Sequence, residues 1–139
     1  MTATIEQIED DLGFFDYWED RYRYLIDLGK ALPAMPEDDK VEDNIVHGCT
    51  SQVWLTVNHK PDTATVELNM DSDALIVRGL LALVRAAYAD RSPAEIVSFD
   101  MEALFARLDL LSHLSMTRGN GLRAMVGRVQ KLTQELINT

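Results

Sequence analysis

Cysteine occurs once in the 139 residues, at Cys49, inside the run Asn44-Ile45-Val46-His47-Gly48-Cys49-Thr50-Ser51-Gln52-Val53-Trp54. A thiolate is a strong nucleophile near neutral pH, so this position is the first candidate for chemistry. Taken by itself a lone cysteine reads first as a small buried apolar residue. Gly48 lacks a Cβ and takes backbone angles closed to other residues, so the Gly48-Cys49 step suits a tight turn. His47 stands two residues before the thiol, where an imidazolium could lower the thiol pKa, although an exposed strand residue without that role accounts for it as well. Arg118 is a cation in the first turn of the last predicted helix, which opposes the helix dipole and asks for a reason. Without further information it reads as a solvated charge.

Other chemistries find little support. Zinc usually takes four ligands, and one Cys with three His at His47, His59 and His113 shows no credible spacing, so no metal site is expected. Iron–sulfur clusters are held by several cysteines, which excludes a cluster scaffold built from this chain alone. No glycine-rich phosphate loop follows a predicted strand, and Arg118-Gly119-Asn120-Gly121 is too short to be one. With 13 Lys plus Arg against 23 Asp plus Glu the formal net charge is -10, so nucleic acid and anionic membrane surfaces would repel it. One cysteine forms no internal disulfide, and Glu6, Glu9, Asp10 and Asp11 do not resemble a basic leader, which together point to a reducing cytoplasm. The apolar run at 80–87 is interrupted by Arg85 and too short for a membrane span.

The elements that must position the thiol follow from hydrophobic period. Residues 4–12 carry Ile5, Ile8 and Leu12 among acids, a short amphipathic helix. Asp16 is placed to cap a second helix through Trp18, Tyr22, Leu25 and Ile26, which Pro33 ends. The acidic stretch 33–44 has no period and reads as an exposed loop. Ile45 and Val46, then Val53 to Val57, then the alternation of Ala64, Val66, Leu68 and Met70, predict a three-stranded antiparallel meander with Cys49 at a loop tip. Ser72 is placed to cap the apolar helix 74–88, with Asp71 and Asp73 supplying negative charge at its start. Ser92-Pro93-Ala94-Glu95 is a capping box, Asp100 begins another helix to Leu108, and a last helix runs over about 117–137. The length fits one domain, residues 1–139, of the α+β class.

Four stretches in this order resemble the signature of the SufE family and its CsdE relatives. They are Trp18-Glu19 with Arg21-Tyr22 and Leu25 to Gly29; Val46-His47-Gly48-Cys49-Thr50-Ser51-Gln52-Val53-Trp54; Asp71-Ser72-Asp73-Ala74 to Arg78-Gly79-Leu80; and His113-Leu114-Ser115 through Arg118 to Gly121-Leu122. Met116 stands where relatives often carry proline, which leaves the start of the last helix open. The resemblance implies a SufE/IscU-like fold with a small three-stranded sheet packed against helices. It implies a sulfur acceptor and activator of a cysteine desulfurase, SufS-like or CsdA-like, in iron–sulfur cluster assembly, rather than a free-standing enzyme. Cys49 would carry the persulfide, and an iron–sulfur scaffold protein would be the downstream acceptor. The chain would hold no cofactor of its own, since the pyridoxal phosphate belongs to the desulfurase. Arg118 matches an arginine on the family's partner-facing surface, and Gly48, Ser51 and Asp73 are taken with it as partner-binding. A loop tip bordered by Val46, Val53 and Trp54 would tuck the sulfur away at rest. Two other readings remain open: a thiol hydrolase with His113 or His47 as base, and an interaction or redox-sensing module.

Overall fold

The computed structural model describes residues 4–49 and 51–138. Helix α1 spans Ile5–Phe14 and begins at a reciprocal capping box between Thr4 and Gln7, with Ile5, Ile8 and Leu12 turned into the core. Helix α2 spans Trp18–Ala31; its N-cap is Tyr17, with no side-chain cap bond, so Asp16 does not cap it. The Tyr17 carbonyl already accepts the Arg21 N–H, which moves the start one residue beyond the acid. Two short 3-10 turns, Glu37–Asp39 and Glu42–Asn44, give the acidic loop local order.

The sheet corrects the expected meander. It has two strands, β1 Val53–Lys60 and β2 Thr65–Ser72, antiparallel with Val53 opposite Ser72 and Lys60 opposite Thr65. Ile45 makes only an isolated bridge with Trp54, and the Val46 N–H donates to the Val53 carbonyl at 2.8 Å. Pairing stops there because the chain turns away at Gly48, whose φ of 95° lies in the region that favours glycine. The molecule is α+β as expected, with the would-be third strand given up to the turn that carries Cys49.

Helix α3, Leu75–Tyr88, is the buried central helix, with Leu80, Leu81, Leu83 and Val84 inaccessible. Ser72 does not cap it in the expected way: Ala74 is the N-cap, and the Ser72 hydroxyl accepts from the Ala74 N–H at 3.2 Å. Helix α4, Pro93–Ser98, has the expected Ser92–Glu95 capping box. Helix α5, Met101–Leu108, is capped by the Asp100 side chain. Helix α6 spans Met116–Asn138. The Ser115 hydroxyl accepts the Arg118 N–H at 3.1 Å, so serine caps the end where proline was missing.

Helices α2 and α3 cross at backbone contact. A Cβ at Gly79 would lie 2.1 Å from the Leu25 carbonyl oxygen, and one at Gly29 would lie 2.6 Å from the Gly79 nitrogen. Arg78 reinforces the crossing: its Nε donates to the Gly29 carbonyl at 3.0 Å and its other guanidinium nitrogens reach the Leu32 carbonyl at 2.9 Å and the Asp71 carboxylate. Lys40 completes the buried cluster on Asp71 at 3.2 Å.

Candidate functional site

Cys49 sits on a short loop whose ends are fastened twice. At the base, Val46 and Val53 are joined by the backbone bond already described, and both are buried. At the other end the Gln52 N–H donates to the Asp73 carboxylate at 3.1 Å, while the Asp73 N–H donates to the Gln52 carbonyl at 3.3 Å. Asp73 therefore braces the thiol loop against the start of α3. Gly48 supplies the turn between these fastenings, and its φ is the reason a glycine is needed there.

The loop lays the half-buried Cys49 against the first turns of α6. The thiol donates to the Gly121 carbonyl, Sγ to O, at 3.5 Å, and a Cβ at Gly121 would stand 3.3 Å from Sγ. Ser51, Val77, Thr117, Arg118 and Met125 close a cleft around the sulfur with an internal volume of about 10 Å³. That is far below the roughly 300–1,000 Å³ of ligand-sized sites, so the cleft seats the thiol without forming an enclosed small-molecule pocket.

Two opposing influences act on the sulfur. Burial pushes the Cys49 thiol above its ordinary pKa, so at rest it is protonated. The positive end of α6 and the Arg118 guanidinium, which has no carboxylate within ion-pair reach among the described residues, favour an anion in the same cleft. In the free protein burial dominates.

The structure brings Cys49, Ser51 and Arg118 to one cleft, with Gly48 next to it in the chain and Asp73 behind it as a brace. It does not bring His47 there: that side chain is exposed and lines no part of the cleft. His113 is stacked on Trp18 with ring centroids 4.0 Å apart, and its Nδ1 lies 3.0 Å from the Ser112 hydroxyl. Neither expected base of a hydrolase thus faces the thiol. The crevice also differs from the expected one. Trp54 lies under the Lys40 ammonium at 5.6 Å and takes no part in lining it, whereas Val77, Thr117, Gly121 and Met125 were not anticipated. The pair Gly119 and Gly121 inside a helix was the available signal, because glycine is costly there without a packing reason. Among the described residues no three His, Cys, Asp or Glu side chains converge on a metal position, and no helix is long and apolar enough to cross a membrane.

Comparison with known proteins agrees with this architecture. Residues 6–133 match the family model described as SufE: Fe-S metabolism associated domain. An uncharacterised SufE-like protein of Rhizobium etli is 46% identical over 131 residues, covering 93% of this chain and 88% of the relative. A second, from Rhizobium meliloti, is 46% identical over 130 residues, covering 92% and 93%. The chain belongs to the SufE family, whose domain is associated with iron–sulfur metabolism. In fold it is similar to the solution structure of a hypothetical protein from Thermus thermophilus, with a TM-score of 0.79 at 19% identity over 97% of this chain and 96% of that one.

Proposed function

We propose that this protein accepts sulfur from a pyridoxal-phosphate-dependent cysteine desulfurase, SufS-like or CsdA-like, holds it as a persulfide on Cys49, and delivers it to an iron–sulfur scaffold protein. The observation that carries this reading is a solitary, half-buried thiol on a loop braced by Asp73, in a cleft it shares with Arg118. The Cys49 thiolate attacks the outer sulfur of the desulfurase persulfide. A bond forms between Sγ and that sulfur, the sulfur–sulfur bond of the donor breaks, and the donor cysteine leaves as thiolate. The sulfur oxidation states are exchanged between partners, so no external oxidant or reductant enters. The proton that the resting thiol gives up ends on the departing donor thiolate.

The chain acts with its partner and not as a free-standing enzyme, and it needs no cofactor of its own. Arg118 stabilises the anionic sulfur or docks the desulfurase, and Gly48, Ser51 and Asp73 shape and hold the loop that is offered to it. With no second cysteine in the sequence, the persulfide has no internal thiol to reduce it. The surroundings that suit this chemistry are a reducing cytoplasm.

The test is desulfurase turnover with and without this protein. Acceleration is expected with the native chain and absent with Cys49→Ser, and mass spectrometry should show the increment of one sulfur on the native chain only. A persulfide on the Cys49→Ser chain, or acceleration that survives the substitution, would end the reading.

A further inference from the structure

A second concave site lies away from the thiol and shares no residue with its cleft. It is a groove of about 560 Å³ bounded by α1, α2, α3 and the outer edge of β2, within the size range of ligand sites. Its chemistry is set by the strand edge. The Val46 N–H reaches the Val53 carbonyl on the far side of β1, so Val53, Leu55, Val57 and His59 direct their backbone groups away from β2. The register then turns the N–H and C=O of Val66 and Leu68, opposite His59 and Val57, outward from the sheet. The Leu68 carbonyl confirms the direction, since Arg85 Nε on α3 donates to it at 3.3 Å. Among the described residues no other element takes up the Val66 N–H and C=O or the Leu68 N–H.

The opposite wall is made low by Ala82 and Ala86, which leaves space beside an unpaired edge for another strand. The rim holds the carboxylates of Asp11, Asp27, Glu67 and Asp90 against two cations, Lys60 and Arg85. Lys60 is paired with Glu67 at 3.9 Å and Arg85 is turned to the strand, while Asp27 and Asp90 are exposed without a cation in ion-pair reach among the described residues. The surplus is negative. A second copy of a chain with net charge -10 would bring like-charged rims together.

We propose that this groove binds an extended, positively charged segment of a partner protein, which adds to the outer edge of β2 as a further strand. Its backbone pairs with Val66 and Leu68, and its basic side chains meet Asp27 and Asp90. The site is independent of the sulfur-acceptor reading, and its test does not involve Cys49.

The probe is a capped hexapeptide of alternating lysine and valine, with its glutamate–valine counterpart as control, added to the full chain at about 10 mM, roughly ten times the ~1 mM dissociation constant that main-chain pairing alone would reach, so that about nine-tenths of the sites are filled. By NMR the Val66 and Leu68 amides are expected to exchange at least about tenfold more slowly with the lysine peptide and unchanged with the control. Val66→Pro, which removes an outward N–H and no bond to β1, should weaken binding several-fold. Asp27→Asn with Asp90→Asn, both on exposed side chains that the fold does not need, should do so as well. Absence of protection at Val66 and Leu68, equal protection by both peptides, or protection that grows with protein concentration without peptide would each overturn the proposal, the last by assigning the edge to a second copy.

Discussion

A Cβ at residue 121 would stand 3.3 Å from Cys49 Sγ, closer than side chains ordinarily approach, so the absence of a side chain at Gly121 is what lets the thiol rest against α6. Replacing it tests the seat of the sulfur. Gly121→Ala raises helix propensity by up to ~1 kcal/mol, which offsets the cost of moving Cys49 outward by a few tenths of an ångström. The expected outcome is little change in thermal stability but several-fold faster alkylation of Cys49, read by mass spectrometry, because exposure governs thiol reactivity. Burial also sets the pH dependence of that reaction. The thiol pKa lies above its ordinary value, so the alkylation rate of the native protein should rise with pH along a curve displaced to higher pH than that of an unstructured cysteine peptide. A curve displaced to lower pH would mean that Arg118 and the α6 terminus already outweigh burial in the free protein.

Among the elements, the α2–α3 crossing gives a structural account of two of the motif stretches. Leu25 to Gly29 and Arg78-Gly79 are residues of contact between two helix backbones, and their glycines are there because the neighbouring carbonyl leaves no room for a Cβ. Gly79→Ala should therefore destabilise the fold by at least about 3 kcal/mol, the upper part of the range for overpacking, since the atom it meets is backbone and cannot rotate aside. Chemical denaturation measures this directly, and a variant that unfolds at the native midpoint would show that the helices can separate without cost. The same elements place the thiol loop. Asp73 braces it from the start of α3, Gly48 turns it out of the sheet, and α6 receives it. The loop is thus tied to the core at its ends while its tip meets the surface.

For the whole molecule, the buried Asp71 joins parts distant in sequence: Lys40 from the acidic loop, Arg78 from α3, and through Arg78 the end of α2 at Gly29 and Leu32. Burial alone would raise the Asp71 pKa, but the Ser72 N–H, Lys40 and Arg78 together outweigh it and hold the carboxyl below its usual value. A carboxyl lowered in the folded state contributes stability that is complete above its unfolded pKa, near ~4, and is lost as pH falls through the lower folded value. Acid unfolding of the native chain should therefore steepen below about pH 4, and Asp71→Asn should flatten that part of the curve. The same substitution should cost about 2 kcal/mol at neutral pH, because Arg78 loses its carboxylate partner while Lys40 keeps Glu37. Unchanged acid sensitivity in Asp71→Asn would assign the transition to other carboxylates.

Much of this molecule was legible in its sequence. Helical period, with caps at Ser92 and Asp100, placed most helices, because those signals act between residues a turn apart. The alternation at 53–57 and 64–70 placed both strands of the sheet. The run around the only cysteine, with the other three stretches, led to the family that the comparisons show. What local pattern could not decide was which distant atoms meet. Ile45 and Val46 have strand-forming side chains, yet Gly48 turns the chain away after one bridge, since pressing Cys49 onto α6 competes with lengthening the sheet. Ser72 reads as a cap and Asp73 as a charge at the start of α3, whereas Asp73 holds Gln52 across 21 positions. The cleft around Cys49, the backbone crossing of α2 with α3 and the open edge of β2 are contacts between segments far apart in the chain. Only packing in three dimensions selects them, because the free energy that chooses among partners belongs to the assembled core and not to any one segment.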